Sequence, residues 1–205
     1  MKALYRIVNV ILAALIFPAA LFLDLIFFQV SATVVDYGLE ESITLKRVID
    51  ILMGNDRLST IVLGEAGHFE WPEIFDPING KLIAFVVFFA LVLVTALFII
   101  IWSCCSSKRI PVVVAGALGV IFSIAMIICF NKAAAPILAG EIKLTALAGE
   151  GLLSSILGGL IQVDTLMLGG FHNAFIIIMG LIIVWTGAYY LVELGDNGES
   201  EKKKK

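Results

Sequence analysis

Cysteine is scarce in this chain. Only Cys104, Cys105 and Cys129 occur among 205 residues, and none falls in the two long sections at 31–80 and 131–170. Those sections therefore have no disulfide framework, which argues against disulfide-bonded four-span families such as tetraspanins and claudins. Asn-x-Ser/Thr is absent, so no glycosylation acceptor marks an outer loop. Histidine is limited to His68 and His172. Two histidines among scattered carboxylates lack the tight ligand spacing of a metal site, so no metal is expected. No glycine-rich phosphate loop, Ser-His-Asp motif or nucleotide signature appears, and neither a cofactor nor a nucleic-acid partner is implied.

What the chain has in excess is apolar sequence. It is 60% hydrophobic, with a mean hydropathy of +1.05, where a soluble domain sits nearer half apolar. Residues 82–102 and 110–130 form two runs of 21 residues, each without a charged side chain. A helix of that length spans the hydrocarbon core of about 30 Å. In lipid, each segment must satisfy its own backbone, which makes helix the expected form. The short basic turn 103–109 makes the pair a transmembrane hairpin.

Residues 7–30 are also apolar. Val30-Ser31-Ala32 resembles a small-residue cleavage site, but the run is too long for a signal peptide, whose apolar region is about 7–15 residues. It reads as a first span, kinked at Pro18, which cannot donate a helix hydrogen bond. A last span is expected at 171–192. The sequence thus predicts an all-α membrane protein with four transmembrane helices and a single polytopic domain over 1–205. Lys2, Arg6, Lys108, Arg109 and the lysines of the tail 193–205 fall on one side, which the positive-inside rule makes cytoplasmic. Both termini are then inside, and loops 31–80 and 131–170 are extracytoplasmic. The expected location is the cell membrane, multi-pass.

Each outer loop is expected to carry short helices. In the first, Ser42 is positioned to cap an amphipathic helix with Leu45, Val48, Ile49 and Leu52 on its apolar face, stopped by Gly54-Asn55. Such a helix either packs on the bundle or lies on the membrane surface. Residues 64–77 are acidic, aromatic and proline-broken and read as an ordered loop, with Trp71 and Phe75 suited to the interface belt. In the second loop, 151–163 is too short to span and suits a re-entrant or interfacial helix.

Three groups are candidates for chemistry. His68 and His172 both fall on the outer side, and histidine can serve as a general base near neutral pH. Glu65 precedes His68 by three residues and can orient it on a helical turn; the competing reading is a pair of structural interface histidines. Asp24 is the one charged residue inside an expected span, about 9 Å from its outer end at helical rise. Ionisable groups in lipid are functional candidates; the plainer reading is a water-accessible Asp near the surface. Cys104-Cys105 beside Lys108-Arg109 also fits a juxtamembrane acylation site.

The segment Glu65-Ala66-Gly67-His68, preceded by an amphipathic helix, and Phe171-His172 just ahead of the last span are similar to motifs of the bacterial lipoprotein intramolecular transacylase family. That family has four spans in about 200 residues. The resemblance implies acyl transfer on a lipoprotein at the outer face and puts His68 and His172 forward; in that reading His68 is the base, Glu65 its orienter, His172 a second acid/base or oxyanion partner, and Asp24 a support. Where the family has Asp-Val-Lys after its first histidine, this chain has Trp71-Pro72-Glu73.

Three functions remain open from the sequence. The first is a non-catalytic protein whose outer loops, around Trp71 and Phe75, bind or assemble with another membrane or envelope protein. The second is the acyltransferase. The third is a small channel or transporter subunit, suggested by Asp24 and the broken second loop. The lipid bilayer is a partner in all three.

Overall fold

The computed structural model describes residues 2–32, 37–55, 73–106, 108–142 and 161–202. Four of its helical segments are long and apolar enough to cross a membrane: Leu4–Phe22, Phe75–Cys105, Ile110–Leu138 and Gly170–Glu193. At most 33% of the most apolar stretch of each is buried inside the protein. The outward remainder includes Ile83, Val86, Val87, Val94, Leu97 and Ile101 on one helix. An apolar surface of that extent suits lipid and would be a liability in water.

Helices α1 (Lys2–Ala14) and α2 (Ile16–Phe22) make the first segment. The break at Leu15 has its cause in Pro18, whose ring opposes the carbonyl four residues earlier and whose nitrogen has no hydrogen to donate. Tyr5, Asn9, Ala13, Ile16 and Ala20 are buried at intervals of three and four, so the two helices keep one inward stripe.

The expected first span at 7–30 ends at Phe22, and β1 (Asp24–Ala32) begins two residues later. The fold is therefore not all-α. Strand β2 (Tyr37–Thr44) and strand β3 (Ile161–Leu168) flank β1 in an antiparallel three-stranded sheet of order β2-β1-β3. Asp24 consequently lies in a strand and not, as the sequence predicts, about 9 Å deep inside a spanning helix. Of the run 151–163, expected to be helical, residues 161–163 begin β3, and 151–160 lie outside the described residues.

Helix α3 (Leu45–Leu52) forms where expected, but its cap is Thr44, whose hydroxyl accepts from the Arg47 amide at 3.2 Å. Ser42 is paired with Phe27 in the sheet. The helix stops at Gly54 (φ 79°) as expected. Gly54 donates to the Ile51 carbonyl at 3.1 Å and Asn55 to that of Asp50 at 2.8 Å, the two bonds of a Schellman end. A 3-10 helix (Glu73–Ile78) leads into α4 (Asn79–Cys105). Helix α5 (Ile110–Leu138) extends past its expected end and closes on Pro136 and Gly140 (φ 73°) with the same motif. Helix α6 runs Gly170–Lys202.

Contacts divide the chain into two compact units. The first comprises 1–19, 88–124 and 173–205, so it takes part of every spanning segment. Small residues allow close approach there. A β-carbon on Gly119 would sit 3.1 Å from Thr95 Oγ1, 3.3 Å from Phe175 and 3.4 Å from Met179, at a three-helix contact of α4, α5 and α6. The second unit, 20–87 and 125–172, contains the sheet, α3 and a cluster of Ile78, Ala133 and Ile142 against which Phe75, Leu82 and Ile137 pack.

Candidate functional site

The sheet joins two sections that lie far apart in the sequence, and alternation along its strands sorts side chains onto two faces. Phe27 stands opposite Ser42 and Met167, and Gln29 opposite Glu40 and Thr165. That face is mixed, and Glu40 and Met167 on it are exposed. On the other face Ile26 stands opposite Ile43 and Leu168, and Phe28 opposite Glu41 and Leu166. It is apolar except for Glu41, which forms an ion pair with Arg47 of α3. Arg47 also donates to the Ser42 carbonyl at 3.1 Å. The pair is partly exposed, so it contributes at most about 1 kcal/mol, but it ties α3 to β2.

Both outer strands carry features that discourage further strand pairing. In β3 the register slips between Gln29 and Val30, leaving Asp164 as an extra, exposed residue in a bulge. In β2 two adjacent acids, Glu40 and Glu41, occupy the middle of the strand. Bulges and charges of this kind keep sheet edges from pairing with other chains. The recognition surface such a sheet can offer is a face.

The candidate residues from the sequence are placed as follows. His172 is buried at the start of α6, with a relative exposure of 9%. Asp24 is half-buried at the start of β1. Its backbone meets Gly169, three residues before His172, so the fold brings these two candidates to one region. Phe75 is half-buried and packs on the Ile78 cluster. Glu65, His68 and Trp71 lie outside the described residues.

A second polar constellation, in the first unit, has no counterpart in the sequence reading. Arg109, taken there as a marker of orientation, is only 9% exposed. Its guanidinium lies 4.8 Å from the Tyr189 ring centre and 5.4 Å from that of Tyr5. It donates to the Tyr189 carbonyl at 3.2 Å and forms an ion pair with Glu193. One turn along α1, Asn9 donates to the Thr186 hydroxyl at 3.3 Å with both side chains fully buried. Arg6 donates to the Ser106 carbonyl at 3.3 Å. These bonds tie α1, the basic turn and α6 together. The available signal was the spacing of polar groups in apolar helices: Tyr5 and Asn9 on one turn, Thr186 and Tyr189 on another.

No family model matches the chain, and no curated protein or solved structure is significantly similar to it.

Proposed function

We propose that this protein is a non-catalytic, multi-pass assembly protein of the cell membrane. Both termini are cytoplasmic, and the three-stranded sheet is extracytoplasmic and binds another membrane-anchored envelope protein. The orientation is supported by the basic residues that gather with the chain termini, Arg6 and Arg109 among them. The observation that carries the reading is the union of two distant sections into one sheet, with protected edges and one mixed, exposed face. A strand of nine residues rises about 30 Å at most. A sheet that starts two residues beyond a span therefore reaches only partners held close to the same membrane.

The acyl-transfer reading draws less support. His172, its second acid/base, is buried, and His68, its base, lies outside the described residues. The channel reading draws less support as well, since Asp24 lies in a strand and not inside a spanning helix.

The test is site-specific photo-crosslinking in cells, with a benzophenone side chain at Met167 or Glu40 on the mixed face. Both positions are expected to yield the same membrane-protein adduct, and a benzophenone at Tyr190, exposed on α6, is expected not to. The reading fails if the two face positions give no adduct, or if His172→Ala abolishes a lipid-modifying activity that the intact protein shows.

A further inference from the structure

Helix α3 has a broad apolar face, and among the described residues only one edge of it is covered. Ile51 is buried and Val48 half-buried, and both face into the fold. Ile49, Leu52 and Met53 are exposed, Leu52 by 53% and Met53 by 70%. With the half-buried Leu45 they form a stripe at spacing four, three and one, which is one helix side. Exposed Lys46 borders that stripe.

The sheet register sets the level at which this helix lies. β1 leaves the first span at Phe22 and begins at Asp24. β2 runs back antiparallel, and its last residue, Thr44, pairs with Asp24. α3 starts at the very next residue. β3 also returns to this level, with Leu168 paired to Ile26, and the last span starts at Gly170. Two spans therefore end at the level where α3 begins.

We propose that α3 is an interfacial helix that inserts Ile49, Leu52 and Met53 into the acyl-chain boundary of the outer leaflet. The occupant of the stripe is lipid: the neighbouring elements at this level are span ends, and a helix with an apolar outward side and a flanking lysine fits that boundary. Lys46 extends its aliphatic stem along the stripe and keeps its ammonium at the phosphates. The ion pair of Arg47 with Glu41 and the bond to the Ser42 carbonyl hold the rotation of the helix, so that this side faces outward. The proposal rests on the sheet register and the span ends; only the naming of the outer leaflet rests on the orientation proposed above, and what the sheet binds does not enter it.

The experiment places a nitroxide on Leu52→Cys or Met53→Cys in the full chain, with Cys104→Ser, Cys105→Ser and Cys129→Ala, reconstituted into phosphatidylcholine–phosphatidylglycerol vesicles. Val94→Cys, exposed in the middle of α4, is the lipid reference; Glu40→Cys is the water reference. Power saturation compares collision with oxygen, which concentrates in lipid, and with a nickel chelate, which stays in water. The expected result is an oxygen preference at positions 52 and 53 that approaches the Val94 value and exceeds that at Glu40. A label at Met53 that favours nickel as Glu40 does overturns the proposal. So does a label that meets neither reagent, because the stripe is then covered by protein. Met53 is the safer site, since its side chain is mostly free of contacts, and it decides the question if the Leu52 variant does not fold.

Discussion

Gly169 meets the backbone of Asp24 so closely that a β-carbon there would lie 2.2 Å from the Asp24 carbonyl oxygen and 2.5 Å from the carbonyl carbon. The Gly169 amide also donates to the neighbouring Leu25 carbonyl at 2.9 Å. This crossing joins the start of β1 to the start of α6. No rotamer change relieves a clash between backbone atoms. Gly169→Ala is expected to lower stability by about 1–3 kcal/mol or more, the range of overpacking. Gly170→Ala, with nothing within 4 Å of its added carbon, is expected to stay within about 0.5 kcal/mol of the parent. Thermal unfolding in detergent compares the two; equal midpoints would show that the crossing is looser than described.

Arg109 makes a second prediction. It is buried, and Glu193, the Tyr189 carbonyl and two aromatic rings share its charge. Removing one member of a buried charged pair typically costs about 3–5 kcal/mol, because the other charge is left uncompensated. The Glu193 side chain is 40% exposed and can turn to water, so the lower end of that range is expected for Arg109→Ala. Arg109→Lys should recover only part of it, since an ammonium lacks the planar fork that bonds the carbonyl and carboxylate while the guanidinium carbon stays near both rings. Unfolding of both variants, with the Arg109→Ala/Glu193→Ala double variant, completes a cycle. Strict additivity would mean that the pair is not coupled.

The spans were legible because composition alone marks them: long apolar runs without charge leave a backbone in lipid few alternatives. α3 was legible from its spacing and from Gly54. The sheet was not. Residues Leu25–Phe28 form an unbroken apolar stretch that continues from the first span, and periodicity cannot separate such a stretch from helix. What makes it a strand is pairing on both sides, with β2 nearby and β3 far along the chain. The same pairing takes Ser42 into the sheet and moves the cap of α3 to Thr44. The role of Arg109 was hidden for a similar reason, since Glu193 and Tyr189 are distant in sequence. A basic residue in a short turn reads as a surface marker until its neighbours are known.

Tyr189 separates the ring from the hydroxyl. Its ring lies under the Arg109 guanidinium, whereas its hydroxyl is buried without a hydrogen-bond partner among the described residues. A buried hydroxyl that bonds nothing contributes no stability and retains a desolvation cost. Tyr189→Phe is therefore expected to be neutral or slightly stabilising. Tyr189→Ala should lose the cation–π contact, about 0.5–2 kcal/mol, together with the ring's packing. Asn9 contrasts in part: its Nδ2 bonds Thr186 while its Oδ1 is buried without a partner among the described residues, so Asn9→Leu is expected to cost at most about 1 kcal/mol, the scale of a helix–helix hydrogen bond in lipid. A Tyr189→Phe variant as damaged as Tyr189→Ala would show that the hydroxyl has a role the geometry does not assign.

The two ends of α3 can be tested apart from its lipid stripe. Gly54 adopts φ 79°, and a β-carbon there meets nothing within 4 Å. The cost of Gly54→Ala is then purely backbone, about 1–2 kcal/mol for a left-handed residue. Gly54→Asn should cost less, since asparagine is tolerated at this position of a helix end. At the other end, Thr44→Ala removes the acceptor for the Arg47 amide and should cost about 1 kcal/mol. Neither change touches Ile49, Leu52 or Met53. If α3 is held by its ends and by the Arg47–Glu41 pair, both variants should increase the mobility of a nitroxide at Met53 before they lower the global unfolding temperature. A label whose mobility is unchanged in both would mean that the outward stripe alone holds the helix in place.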